Sequence, residues 1–254
     1  MDEGRRRELL AAMGIRLWQR RPDRLPWPSG QEMPTEGPSK PDEPSASPTE
    51  PEEIGVEAPP HPTSQEVPVS QLDWEALQAR VAACTACAEL VANRTQTVFG
   101  VGVRDADAMV VGEAPGADED RLGEPFVGRA GKLLDAMLAA IGLSRRENCY
   151  IANILKCRPP NNRDPRPEEV ANCLPYLERQ IELVAPRALL AVGRIAAQNL
   201  LGVTTPIGRL RGKVHDYRGI PVVVTYHPAY LLRSPLEKRK AWEDLKRYRK
   251  LLQS

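Results

Sequence analysis

The sequence predicts an α/β fold: three α/β/α layers around a four-stranded parallel sheet, preceded by a disordered N-terminal extension. From about residue 72 onwards, short β-branched apolar runs alternate with segments whose apolar residues recur at helical spacing. Strands that alternate with helices favour a parallel sheet covered on both faces. Residues 22–70 differ sharply, because Pro, Glu, Ser and Thr dominate them and large apolar residues are scarce. Such a segment cannot bury enough surface to offset its ordering entropy.

The predicted elements follow one another in a regular order. The strands are the short apolar runs at 106–112, 149–155, 188–193 and 220–226. The helices lie before, between and after the strands, at 72–86, 131–141, 168–184, 195–201 and 235–252. In parallel sheets, ligands bind beyond the carboxyl ends of the strands. Unusual segments follow three of the strands, so we expect them to form one site along one rim. They are GEAPGADED (112–120), Asn153 through KCRPP (156–160), and HPAYLL (227–232).

The chain is thus predicted to contain three segments: a short amphipathic motif at 1–21, a disordered Pro/Glu/Ser-rich linker at 22–71 and a folded domain at 72–254. Residues 1–71 carry 8 Lys/Arg and 13 Asp/Glu, a net charge of −5, whereas residues 72–254 carry 27 and 21, a net charge of +6. A mildly basic domain permits a polyanionic partner. No apolar run approaches the roughly 18 residues of a membrane span, and no signal-peptide core begins the chain. We expect a cytoplasmic monomer without a membrane partner.

The five cysteines do not suggest disulfides in a cytoplasmic protein. Cys84 and Cys87 form a C-x2-C pair, whereas Cys157 and Cys173 are separated by fifteen residues. Two close and two distant thiolates are compatible with zinc, with an iron–sulfur cluster or with simply buried thiols. Zinc sites usually use a second close pair, so the distant pair favours an iron–sulfur cluster. Cys149 lies within a predicted strand and is expected to be a core residue.

Five motifs occur in a fixed order along the predicted domain. They are CTAC (84–87), GEAPGADEDRLGEPFVGRAGKLLD (112–135), YIANILKCRPPNNRDP (150–165), LLAVGRIAAQ (189–198) and TYHPAYLLRSP (225–235). Together they resemble the family 4 (type a) uracil-DNA glycosylases, over residues 72–252 approximately. The resemblance implies a four-stranded parallel α/β/α fold, a [4Fe-4S] cluster and excision of uracil from DNA in base excision repair. It does not cover residues 1–71.

The resemblance implies a monofunctional hydrolase that cleaves the bond between uracil N1 and deoxyribose C1′ and leaves an abasic site. In such a reaction the sugar becomes oxocarbenium-like and the base departs with negative charge. By this resemblance, His227 stabilises the developing anion at uracil O2; the alternative is a histidine that only caps a helix or packs in the core at a strand end. Two catalytic carboxylates accompany it: Glu113 helps to shape the pocket, and Glu119 lies near the sugar, where it could support the cation or a water. The alternative is that these acidic residues only complement the dipole of the helix that follows.

The same resemblance implies a set of uracil-binding residues. Asn153 recognises the base, because a side-chain amide can donate to O4 and accept from N3–H, which fits uracil and mismatches cytosine. Phe126 stacks on the flipped base. The alternatives are that Asn153 only forms a turn and that Phe126 only anchors its loop in the core. Gly112 lets the backbone approach the ligand closely, and the backbone around Ala114 contributes to the pocket.

The segment AYLLRSP resembles an intercalation loop. Tyr230, Leu231 and Leu232 would fill the gap that the extruded nucleotide leaves, and Arg233 would contact phosphate. The alternative is that the leucines belong to the apolar face of the closing helix. Further candidates for phosphate contacts are Lys156, Arg158, Arg163 and Arg129. The alternative for each of them is a solvated surface charge.

The resemblance also implies that Cys84, Cys87, Cys157 and Cys173 are the cluster ligands. They would join the N-terminal helix to the loop after the second strand. Cys157 lies four residues beyond Asn153, so the cluster is expected to hold the base-recognising residue in place. We expect a structural role, since hydrolysis needs no redox step.

Two other function classes stay open at this point. The first is a catalytically weak iron–sulfur module that binds or senses uracil-containing DNA. The second is a four-cysteine zinc protein that binds nucleic acid, which would be colourless. A neighbouring family bonds covalently to uracil-containing DNA through a histidine in an insert between the third and fourth cysteines. Residues 158–172 contain no histidine here, so we predict multiple turnovers.

The N-terminal stretch LLAAMGIRLWQRRP resembles the N-terminal peptide of the psi subunit of the bacterial DNA polymerase III clamp loader. A short aromatic anchor on a disordered tether is typical of a partner-binding motif. Residues 9–21, with Ile15 and Trp18 as anchors, are therefore predicted to contact a clamp loader or another replication protein. The alternative is an amphipathic tail without a partner.

Overall fold

The computed structural model describes residues 67–253. The motif predicted at 1–21 and all but the last residues of the linker predicted at 22–71 lie outside the described residues. The described chain begins with a 3-10 turn at Val69–Gln71. Leu72, directly after this turn, is buried together with Leu77 and Val81, the apolar anchors predicted for the first helix.

The centre of the described domain is a single sheet with strand order β1-β3-β2-β4-β6-β5. Its strands are β1 (Val101–Gly102), β2 (Ala108–Gly112), β3 (Cys149–Asn153), β4 (Ala188–Val192), β5 (Val214–Tyr217) and β6 (Ile220–Thr225). Strands β3, β2, β4 and β6 pair in parallel, and they are the four strands predicted from the sequence.

The predicted strand number of four is too low, because two short antiparallel strands extend the sheet to six. Strand β1 has only two residues, and β5 alternates between exposed and half-buried positions. Neither strand forms a buried apolar run, which is the signal that identified the other four. The pairing partner, which the local sequence does not show, makes them strands.

Helices cover both faces of the sheet, as the alternation of elements predicts. They are α1 (Trp74–Ala82), α2 (Ala88–Asn93), α3 (Ala117–Leu122), α4 (Arg129–Ala139), α5 (Pro167–Val184), α6 (Arg194–Leu201), α7 (Ile207–Leu210), α8 (Pro228–Arg233) and α9 (Lys238–Gln253). Two further 3-10 turns lie at Pro160–Asn162 and Pro235–Glu237. No helix in the described range is long and apolar enough to span a bilayer.

Alternate residues of the central strands face two separate cores. On β2, Met109 and Val111 pack with α5 and α6, whereas Ala108 and Val110 pack with α4 and α9. This follows from the two-residue period of a strand. Complete burial of an aliphatic side chain contributes about 1.5–3 kcal/mol, so both layers hold the sheet firmly. The rigid sheet fixes the strand ends, where the loops of the site begin.

Candidate active site

A pocket of about 410 Å³ opens at the carboxyl edge of the sheet. It is lined by the loop after β2, the segment after β3 and the start of α8 after β6, so the three predicted segments do meet at one rim. The lining includes six predicted site residues with functional side chains: Glu113, Glu119, Phe126, Asn153, His227 and Arg233. Ala114 also lines it.

Asn153 ends strand β3 and is almost completely buried. Its Oδ1 atom has no hydrogen-bond partner among the described residues, which is unusual for a buried amide. A ligand that presents an N–H group to this oxygen would therefore remove the cost of leaving it unpaired. Uracil N3–H is a donor of this kind.

Gly112 ends strand β2 directly beside Asn153. A Cβ atom at this position would lie 2.3 Å from Asn153 Oδ1 and 2.6 Å from Phe126 Cζ. Both distances are far inside van der Waals contact, so only glycine leaves room for the amide and the ring. At Gly112 the structure shows a close approach by two side chains of the protein itself, whereas the predicted close approach of a ligand stays a prediction.

Phe126 lies in the pocket with a left-handed backbone, φ 56°. Its ring centroid is 5.6 Å from that of His227, with the ring planes tilted by 32°. Arg145 holds the backbone in this conformation by donating hydrogen bonds to the carbonyl oxygens of Pro125 and Phe126, at 2.8 and 2.9 Å. The strained position is therefore fixed from outside the pocket.

Glu119 also holds the loop that carries Phe126. One carboxylate oxygen accepts hydrogen bonds from the amides of Val127 (2.9 Å) and Gly128 (3.2 Å), and the other accepts from the amide of Gly116 (3.1 Å). The carboxylate thus joins the loop after β2 to the loop that carries Phe126. Glu119 lines the pocket, and its hydrogen bonds fix the loop that carries Phe126.

Glu113 has a different environment. Its carboxylate accepts no hydrogen bond among residues 67–253, and it faces the pocket. Burial raises its pKa to about 7, with Asp164 acting in the same direction and Arg194 opposing it. A carboxyl group with a pKa near the working pH can give and accept a proton, which is the requirement for acid–base catalysis.

His227 caps the N-terminus of α8, and its Nδ1 atom accepts a hydrogen bond from the amide of Ala229 at 3.1 Å. Burial lowers its pKa to about 4; Arg233 also lowers it, and Glu119 opposes the shift. The imidazole is therefore neutral at pH 7. Because Nδ1 is the acceptor, the ring proton is on Nε2, so this nitrogen is a neutral hydrogen-bond donor.

Gly193 supports the imidazole from β4. It has a positive φ of 101°, and a Cβ atom there would lie 3.1 Å from His227 Cβ. The turn after β4 therefore packs closely under the histidine. Together with Pro228, which fixes the first residue of α8, this contact restricts the orientation of the ring.

The predicted intercalating residues separate into two groups. Tyr230 and Leu232 are each 37% exposed, whereas Leu231 is 1% exposed and belongs to the core that packs against α4 and α9. A buried side chain cannot enter a base stack, so the structure does not support the wedge role predicted for Leu231. None of the three lines the pocket, whereas Arg233 does.

Several pocket-lining residues had no role predicted from the sequence: Pro159, Asn162 and Ala229. Asn162 and its neighbour Asn161 both have left-handed backbones, with φ of 52° and 54°. Asparagine tolerates this conformation better than most residues, so the Pro-Pro-Asn-Asn sequence was the available signal for a tight turn at the rim.

The cysteines predicted as cluster ligands lie near one another at the loop after β3. Cys157 and Cys173 are buried, and Cys84 and Cys87 are half-buried. Cys84 and Cys87 are near enough to influence the pKa of Cys157, and Cys84 and Cys157 that of Cys173. Burial is the largest cause in each case and raises the pKa of Cys173 to about 12. Within residues 67–253, no group of three His, Cys, Asp or Glu side chains is arranged to hold a single metal ion.

Three of these thiols are engaged by N–H donors from other parts of the chain. Arg94 donates to Cys157 Sγ at 2.9 Å and to the carbonyl oxygen of Cys84 at 2.8 Å. The backbone amide of Lys156 approaches Cys173 Sγ at 3.3 Å. Asn172 Nδ2 lies 3.5 Å from Cys87 Sγ.

Lys156 is not available for the phosphate contact predicted from the sequence, because it is 1% exposed. Its Nζ atom donates to the carbonyl oxygen of Asn153 at 2.9 Å and to Gln180 Oε1 at 2.6 Å. Gln180 in turn donates to Tyr150 Oη at 3.2 Å. The lysine therefore links the strand end that carries Asn153 to helix α5, which also carries Cys173.

Comparison with known proteins agrees with this architecture. Residues 99–246 match the family model described as the Uracil DNA glycosylase superfamily. The chain is 49% identical to the type-4 uracil-DNA glycosylase of Archaeoglobus fulgidus over 175 residues, which cover 66% of this chain and 87% of that protein. It is 47% identical to the type-4 enzyme of Thermotoga maritima over 162 residues, 63% of this chain and 83% of that protein.

A more distant relative is the type-5 uracil-DNA glycosylase of Pyrobaculum aerophilum, at 37% identity over 147 residues, 51% of this chain and 64% of that protein. The higher identity and coverage of the type-4 proteins agree with the motifs noted in the sequence. The chain belongs to the type-4 uracil-DNA glycosylases, within the Uracil DNA glycosylase superfamily.

Proposed function

We propose that this chain, as a type-4 uracil-DNA glycosylase, hydrolyses the N-glycosidic bond of deoxyuridine with the pocket residues in the following roles. The observation that carries the proposal is one cavity with three complementary groups. Asn153 offers an unpaired buried acceptor, Phe126 an aromatic face and His227 a neutral N–H donor. A flipped uracil presents a donor at N3, a planar ring and an acceptor at O2.

Asn153 and Phe126 select the base before any bond breaks. The amide would accept from N3–H through Oδ1 and donate to O4 through Nδ2, whereas cytosine presents an unprotonated N3 and an amino group at these positions. The wrong base would leave two buried polar groups opposed without a hydrogen bond, which costs about 1–3 kcal/mol for each group. Phe126 stacks on the base and closes one side of the pocket.

His227 stabilises the leaving group. As the bond between N1 and C1′ lengthens, negative charge spreads from N1 to uracil O2, and the Nε2–H of a neutral imidazole donates to it. The donor is present before the reaction starts, since the amide of Ala229 fixes the tautomer. The base then takes up a proton, and water adds to C1′ of the oxocarbenium-like sugar.

Glu113 is the carboxylate that we assign to the water or the sugar cation. It faces the pocket without a hydrogen-bonded partner among the described residues, and its pKa is raised by burial to about 7. Glu119 acts on the stacking loop, because three backbone amides occupy its carboxylate. This division between the two carboxylates modifies the expectation that Glu119 lies at the sugar.

We also propose that Cys84, Cys87, Cys157 and Cys173 hold a [4Fe-4S] cluster. The donor set fits, because the thiols are near enough to influence the pKa values of Cys157 and Cys173 and N–H donors engage three of them. Such N–H···S contacts accompany cluster ligands in proteins. The four cysteines would each supply one thiolate to the cluster. When bound, the cluster would supply a rigid link between α1, the loop after β3 and α5, and it would transfer no electrons in a hydrolysis.

DNA is the expected substrate form, and Tyr230, Leu232 and Arg233 are the exposed residues that we assign to it. The competing reading is a module that binds uracil-containing DNA without turnover. The monomeric state, the cytoplasmic location and a clamp-loader contact through residues 9–21 stay predictions from the sequence.

A uracil-containing oligonucleotide in excess over the protein separates these readings. We expect many abasic sites per chain from the wild type and a loss of about 10²–10³-fold in kcat for His227→Ala, the usual effect of removing one oxyanion donor. Arg209→Ala is the matched control, since Arg209 does not line the pocket, and it should keep wild-type turnover. No more than one abasic site per wild-type chain would favour the binding module.

A further inference from the structure

The turn between α8 and α9 carries an exposed leucine that none of the predicted roles uses. Leu236 is 91% exposed, whereas the other large apolar side chains that are exposed within residues 67–253 reach at most 52%. An isolated apolar residue at the surface needs no explanation by itself. Leu236 differs in three respects: hydrogen bonds hold the turn that carries it, cationic side chains surround it, and it lies close to the pocket along the chain.

The turn that carries Leu236 is rigid. Leu236 is the middle residue of the 3-10 turn Pro235–Glu237, which begins with a proline. The amide of Glu237 donates to the carbonyl oxygen of Ser234 at 3.1 Å, and that of Ser234 donates to the carbonyl oxygen of Tyr230 at 2.8 Å. The Glu237 side chain pairs with Lys240 at 2.9 Å. The turn is therefore continuous with both helices, and the leucine projects from a fixed base.

Leu236 lies close to the pocket along the chain. His227 lines the pocket and caps α8, and Arg233, the last residue of this helix, also lines it. Helix α8 has six residues, which span about 9 Å at the helical rise. Leu236 follows three residues after Arg233. Three residues of chain span at most about 11 Å, so Leu236 lies within about that distance of Arg233 at the rim.

The charge around the turn fits a polyanion. Arg233, Lys238 and Arg239 are exposed on the two sides of Leu236, and the one acidic residue in the stretch, Glu237, is paired with Lys240. Cations that flank an apolar tip are typical of proteins that hold both backbones of a duplex while a side chain enters the base stack. A protein partner would not require this concentration of positive charge.

We propose that Leu236 is the wedge that occupies the base stack of duplex DNA when uracil enters the pocket. The proposal rests on the uracil-DNA glycosylase function and moves the wedge from Leu231, which is buried, to the tip of the next turn. Tyr230 and Leu232, each 37% exposed on α8, would then contact the DNA beside the inserted leucine. The wedge acts on duplex opening and makes no contact with the reacting bond.

The test uses the full chain with any bound cluster and one uracil-containing sequence in three forms: single-stranded, paired with guanine and paired with adenine. For Leu236→Ala we expect kcat/KM within about twofold of wild type on the single strand, because no stack has to be filled. We expect a loss of about 10-fold opposite guanine and up to about 100-fold opposite adenine, since a mismatched base is easier to extrude. Leu236→Met should restore most of the duplex activity.

Val214→Ala is the matched control, because Val214 is 47% exposed on the edge strand β5 and does not line the pocket. It should leave all three substrates unchanged. Equal losses on single and double strands in Leu236→Ala, or unchanged duplex activity, would overturn the wedge, and so would a change in oligomeric state on gel filtration. Failure of the wild type to release uracil from any of the three forms would instead reject the function on which the wedge rests.

Discussion

Two sites follow the same strand end, and they use their polar groups in opposite ways. In the pocket, Asn153 Oδ1 has no partner among the described residues, the Glu113 carboxylate accepts no hydrogen bond there, and His227 keeps Nε2–H as a donor. A few residues farther along, the thiols of Cys157 and Cys173 receive N–H donors from within the protein. An unpaired buried group is costly unless a ligand satisfies it. This difference agrees with a ligand that enters and leaves the pocket, and with the permanent structural link that we propose for the cysteine site.

The largest effect is expected from a substitution that changes the pocket and leaves the cysteine site unchanged. Gly112→Ala would place a methyl group 2.3 Å from Asn153 Oδ1 and 2.6 Å from the Phe126 ring. We expect kcat/KM for uracil release to fall by at least about 10³-fold, equivalent to about 4 kcal/mol, because the amide and the ring must both move.

The cysteine site should be unaffected by that change. Visible absorption and iron content of the purified Gly112→Ala protein should therefore equal those of the wild type. Gly142→Ala tests whether any loss is specific, since open space surrounds that position; its positive φ of 79° adds a modest loss of stability but none of activity. An active Gly112→Ala enzyme would show that the close approach at the end of β2 is not required.

The second prediction changes the cysteine site and leaves the pocket alone. Cys173→Ala should lower iron and inorganic sulfide to below one cluster per chain and should lower the thermal midpoint, because the link between α5 and the loop after β3 is lost. Cys149→Ala is the control, since Cys149 is equally buried but lies in the opposite core. It should keep full iron content. Equal iron content in both variants would exclude Cys173 as a ligand.

The sequence predicted the parts of this comparison that depend on local pattern. Buried apolar runs identify the four parallel strands, and the rule for their carboxyl ends brings Asn153 and His227 together. A residue-type pattern could not show that Lys156 is buried, because its Nζ is satisfied by Gln180, twenty-four residues away. Nor could it show which leucine of α8 faces the core, since a six-residue helix is too short for its apolar period to be decisive.

The carboxylates show the same limit. The chemistry of Glu113 and Glu119 is identical in the sequence, and both line the pocket. Three backbone amides make Glu119 a structural link, whereas burial makes Glu113 a group with a raised pKa. Only the tertiary structure separates them, because the amides of Val127 and Gly128 come from the next loop.

The smallest predicted effect concerns two pocket groups whose contributions to stability change with pH in opposite directions. The folded-state pKa of His227 is lowered to about 4, so between pH 4 and 6.5 the unfolded chain binds more protons and stability rises with pH. The folded-state pKa of Glu113 is raised to about 7, so between pH 4.5 and 7 the folded chain binds more protons and stability falls as pH rises. In the wild type the two slopes largely cancel.

Single variants should reveal each slope in urea unfolding between pH 5 and 6.5. As pH rises over this range, the free energy of unfolding of the wild type should increase by about 2 kcal/mol relative to His227→Gln. Relative to Glu113→Gln, it should decrease by about 2 kcal/mol. Subtracting the free energy of unfolding of each variant from that of the wild type removes the pH dependence of all other carboxylates. The difference between the wild type and the double variant should be nearly independent of pH. If the wild type instead stays parallel to both single variants, then neither group is held in the buried, unpaired state on which the pocket's readiness for uracil depends. In that event the contrast between an open pocket and a closed cysteine site would lose its energetic basis.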